Sequence, residues 1–146
     1  MVHALEEIRR LLRADGCLID IHPVREAPIV DVRTSDGVTF SEPSAAYDYD
    51  DDLIHAERAL TAAVRRGLFA LDGSYEFEFH TSARSVRELR DFFAVYSAYE
   101  ENPVDDEVEQ RVDAFYGHVD DVMRSSGRNA RVVHRERALM SRLNPI

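Results

Sequence analysis

Lysine and tryptophan are missing from this 146-residue chain, and cysteine occurs once, at Cys17. A single cysteine excludes an intramolecular disulfide and any cysteine-rich zinc site. Cys17 stands where an apolar strand begins, and no cation beside it in the sequence marks a reactive thiolate, so it reads as structural. Glycine is scarce: Gly16, Gly37, Gly67, Gly73, Gly117 and Gly127 stand singly. No Gly-x-Gly pair therefore lies between a strand and a helix to bring backbone against a nucleotide phosphate. No apolar run approaches the ~20 residues that a membrane helix needs. The N-terminus begins an amphipathic pattern rather than a leader's apolar stretch, so the expected address is the cytoplasm. All 18 basic side chains are arginine, and 28 acids outweigh them to a net charge of −10. Such a charge repels phosphate backbones and anionic lipid, which argues against nucleic acid and membrane as partners.

What is present is a sequence of short periodic segments in a chain of single-domain length, 1–146. Ala4, Leu5, Ile8, Leu11 and Leu12 recur at helical spacing, and Asp15-Gly16 ends that helix. Cys17 to Ile21 then reads as an apolar strand. Ile29 to Arg33 and Val38 to Phe40 flank Ser35-Asp36-Gly37, a small hairpin expected as an excursion from the main sheet. Ser41 to Asp52, rich in aspartate, reads as an exposed loop. Leu53 to Arg66 is a helix stopped by Gly67, and Tyr75 to His80 alternates with period two as a strand with one aromatic face. Ser85 to Glu88 is a capping box. Asn102-Pro103 opens a further helix that runs to Met123. Arg131 to Met140 is expected to form the last strand. This order predicts an α/β or α+β fold with helices on the faces of a sheet.

The segment from Ala4 to Ile21 resembles the helix, glycine turn and fifth strand of class I S-adenosylmethionine-dependent methyltransferases, with Ala14-Asp15-Gly16 as the turn. That family closes its sheet with two antiparallel strands, for which Ser74 to His80 and Arg131 to Met140 are the candidates. The resemblance implies an incomplete, Rossmann-like three-layer sheet corresponding to the C-terminal, substrate-side half. The family's glycine-rich cofactor turn has no counterpart here. The expectation is therefore no autonomous methyl transfer and no cofactor bound by the chain alone. S-adenosylmethionine would bind only with a completing chain, unless the protein is a truncated remnant. If Cys17 to Ile21 is that fifth strand, its neighbour on one side belongs to the other half. An unpaired apolar edge of this kind predicts a homodimer or a completing partner. The other readings are a non-catalytic binding or dimerisation module and a small apolar ligand-binding protein using the aromatic face.

Asp20 and His22 are the catalytic candidates. Two apart on a strand, their side chains share a face, and His22 oriented by Asp20 can serve as a general base near neutral pH. The commoner role of a histidine beside Pro23 is structural. Asp48-Tyr49-Asp50-Asp51-Asp52 lacks the glycine and distant glutamate of a calcium loop and reads as helix-start acid, leaving no metal site. His55, His80, His118 and His134 are dispersed and read as surface residues. Arg128, Arg131, Arg135 and Arg137 make the tail locally basic and read as a solvated strand edge. Tyr75, Phe77, Phe79, Phe92, Phe93 and Phe115 are expected in the core by their periodicity.

Overall fold

A computed structural model of the chain describes residues 2–45, 51–97 and 106–146. The elements run α1 (Val2–Leu11), β1 (Leu18–Pro23), β2 (Ile29–Thr34), β3 (Gly37–Pro43), α2 (Asp51–Arg65), β4 (Phe69–Ala83), α3 (Val86–Ser97), α4 (Asp106–Ser126) and β5 (Arg131–Pro145). Among the described residues, four helices and an open five-stranded antiparallel sheet make an α+β fold. The acidic run at 48–50 and the expected cap at Asn102-Pro103 lie outside the described residues.

β5 organises the sheet. Its C-terminal part pairs with β1, from Leu18 opposite Leu143 to Pro23 opposite Ala138. Its N-terminal part pairs with β2, from Ile29 opposite Arg135 to Arg33 opposite Arg131. β4 also pairs with β5. The β2–β3 hairpin turns at Gly37, whose φ of +133° lies in a region that side chains avoid. The hairpin is joined to the sheet rather than standing apart as an excursion. Val30 and Val32 share one face of β2 and join the buried core of the second unit.

The chain groups into two compact units, with two of the boundaries between them falling within β4 and β5. The first comprises Met1–Glu26, Asp48–Glu78 and Arg137–Ile146. Its core is Ala63, Phe69 and Leu143, closed over by Leu5, Ile8 and Leu12 of α1 and Leu60 and Val64 of α2. Leu18 joins this core, and residues directly opposite in an antiparallel pair share a face, so Leu18 and Leu143 mark the helix-covered face. Alternation puts Ile19 and Ile21 on the opposite face, where they are 47% and 58% exposed.

The second unit comprises Ala27–Tyr47 and Phe79–Glu136. Val30, Val32 and Val132 of the sheet pack against Val86 and Leu89 of α3 and Tyr116, Val119 and Met123 of α4. The capping box opens α3 as the sequence indicates: Ser85 Oγ accepts from the Glu88 N–H at 3.1 Å, and the Glu88 carboxylate accepts from the Arg84 N–H at 2.7 Å.

The aromatic stripe departs from expectation. Tyr75 is 64% exposed, and Phe79 and Phe92 are exposed as well, while Phe93 and Phe115 pack against the second core. Period two marks β4 as a strand, but no helix among those described covers Tyr75.

Candidate functional site

β1 carries Asp20 and His22 on the helix-covered face, since both alternate in phase with Leu18. Their side chains meet: His22 Nδ1 lies 2.6 Å from Asp20 Oδ2. A carboxylate only accepts, so Nδ1 holds the hydrogen and donates it. In the neutral ring, Nε2 is then the free, basic nitrogen. His22 is 13% exposed, which restricts the ring's freedom without closing it off from solvent.

α2 completes the group with a residue that the sequence does not single out. Glu57 Oε1 stands 4.0 Å from His22 Nε2, beyond direct hydrogen bonding, and Glu57 Oε2 stands 3.9 Å from an Arg25 guanidinium nitrogen. An oxygen placed between Nε2 and Glu57 could hydrogen-bond both. An open depression along α2 is lined by Glu57, Arg58, Thr61, Ala62, Arg65 and Arg66, and His22 is not among its lining residues. Its position would let a small molecule reach the histidine's neighbour from solvent. What the arrangement can do chemically is accept a proton at Nε2 while Asp20 steadies the imidazolium that results.

Comparison with family models, with curated proteins and with solved structures finds no match. The chemistry of the site must therefore be argued from its own geometry.

Among the described residues no cluster of three or more His, Cys, Asp or Glu side chains is arranged to hold a metal ion. Cys17 is free and partly buried. His55, His80 and His118 are exposed, as their dispersal suggests, but His134 is not. At 7% exposure it sits in the second unit with its ring 4.7 Å from that of Phe93, and its Nδ1 has no hydrogen-bond partner among the described residues. Burial pushes its pKa down to about 4.

The basic tail is also not a uniform solvated edge. Arg135 reaches Asp31, with Nε at 2.8 Å from Oδ2, and Arg33 brings Nε and a terminal nitrogen to the same oxygen at 3.0 and 2.6 Å. Asp31 is 1% exposed. Burial alone would raise its pKa, but hydrogen bonds from Arg33, Ser41 and Arg135, with the Arg135 charge, hold the carboxyl below the usual carboxylate range. Arg137, in the first unit, bridges Glu26 and Glu76 at the surface.

Proposed function

We propose that this chain is the substrate-side half of a methyltransferase-like enzyme, with His22 as its general base and the cofactor site contributed by a second polypeptide segment. One observation carries the reading. β1, which holds Asp20 and His22, pairs with a strand on one edge only among the described residues, and it leaves Ile19 and Ile21 bare. A strand with apolar residues on both faces is suited to burial on both, as in sheets covered by helices on each side. An open edge beside uncovered isoleucines is where a further strand and its helix would dock. The same edge lies on the strand of the proposed base, so docking would bring the cofactor to the strand that holds the histidine. The pairing of β4 with β5 supports the reading too, since the resemblance expects two closing antiparallel strands.

In this reading the acceptor is a small molecule bearing an acidic O–H or N–H. His22 Nε2 would accept that proton, and Asp20 would stabilise the imidazolium. S-adenosylmethionine, held by the completing segment, would supply the methyl group and leave as S-adenosylhomocysteine.

The test is to isolate the chain from its native cells together with what binds it, and to photolabel the assembly with S-adenosylmethionine. Label should appear in the assembly and vanish when Ile19 and Ile21 are replaced by Lys. His22→Ala should lower methyl transfer by the assembly about 10²- to 10⁴-fold, the usual weight of a general base. An unchanged rate would remove His22 from the mechanism. An assembly that forms through β1 yet takes up no label would instead establish a dimerisation or binding module.

A further inference from the structure

In the second unit a cleft of about 370 Å3 opens where the approach to α3 meets the end of α4. Met123 and Ala130, both nearly buried, give it an apolar floor, and three arginines, Arg84, Arg124 and Arg128, line it together with one carboxylate, Asp120.

The three guanidinium groups differ in what neutralises them. Arg124 meets Asp120 at 3.1 Å and Asp121 at 2.6 Å. Arg84 and Arg128 meet no carboxylate among the described residues, although acids outnumber arginines 28 to 18 across the sequence. Arg84 and Arg128 line the same cleft, and its one lining carboxylate, Asp120, is already engaged by Arg124. The start of α3 is closed by its own capping box, so side chains rather than the helix end would hold an anion.

We propose that this cleft binds a small phosphorylated molecule, with Arg84 and Arg128 gripping the phosphate. The charge decides the class. Two unpaired guanidinium groups match a group carrying nearly two negative charges at neutral pH, as a phosphate monoester does, whereas a single carboxylate would leave one cation uncompensated. The planar forks of arginine also suit bidentate contact with phosphate oxygens. Ser85, on the cleft wall, accepts from the Glu88 N–H and keeps its own hydroxyl hydrogen free to donate to a further oxygen. The apolar floor would carry the organic part of the ligand.

The experiment is a titration of the whole chain with inorganic phosphate at neutral pH, followed by amide ¹H–¹⁵N spectra, with sodium chloride of matched ionic strength as reference. Saturable shifts are expected at the amides of Arg84, Ser85, Gly127 and Arg128. An Arg84→Ala/Arg128→Ala variant should need at least about tenfold more phosphate to reach half-saturation, the loss expected from removing charged hydrogen-bond donors. Arg10→Ala, which removes an exposed arginine of α1, should leave the titration unchanged. The same spectra report whether each variant stays folded. Shifts that rise without saturating and match those of chloride would overturn the proposal, as would an undiminished response in the double variant.

Discussion

Asp31 and His134 show two opposite ways of burying a titratable side chain in the second unit. Asp31 is held by Arg33 and Arg135 and stays ionised, so its removal leaves two guanidinium groups without their shared acceptor. Those arginines keep partial access to water, which softens the penalty. Asp31→Ala should cost about 2–3 kcal/mol in urea unfolding, while Asp31→Asn, which retains an acceptor oxygen, should cost less. His134 is buried without a partner for Nδ1 and is kept neutral. Its folded pKa of about 4 lies below the unfolded value of 6.5, so the unfolded chain takes up the proton first as pH falls. The neutral ring's full contribution is present above pH 6.5 and is lost progressively toward pH 4, by at most about 3 kcal/mol. Urea midpoints measured across that window should decline for the natural chain and flatten for His134→Leu. Asp20 with His22 is legible in the sequence because both lie on one short strand two residues apart. Neither Glu57 beside His22 nor Asp31 beside Arg135 is legible, because helix packing and strand register over long separations make those contacts.

At the scale of elements, local chemistry carries most of what the sequence shows. The helix at Val2–Leu11, the turn at Gly37 and the box at Ser85 follow from spacing and from single residues with strong backbone preferences. Ser85→Ala should destabilise by about 1 kcal/mol, since one N–H of α3 loses its acceptor, and thermal unfolding would register the change. A loss several times larger would mean that Ser85 also bears on the core. β4 marks the limit of such reading. Alternation identifies Tyr75, Phe77 and Phe79 as one face of a strand, but only a neighbouring element can make that face a core, and α2 covers Phe69 without covering Tyr75. β5 runs to Pro145 rather than stopping at Met140, because Leu143 is needed opposite Leu18. His134 escapes notice for the same reason as Tyr75. Its burial depends on α3 bringing Phe93 over the sheet, which the residues around it do not encode.

For the molecule as a whole, the proposed division of labour gives this chain the base and the acceptor side and assigns the cofactor to a second segment. The proposal rests on two features: the absence of a Gly-x-Gly turn in the sequence and, among the described residues, the open edge of β1. The most direct measurement is calorimetric titration of S-adenosylmethionine into the purified chain alone. The proposal requires no saturable heat at any practical concentration, because none of the described elements brings a glycine-rich turn against a strand end. Micromolar binding to the isolated chain would contradict it and would place a complete cofactor site within these 146 residues.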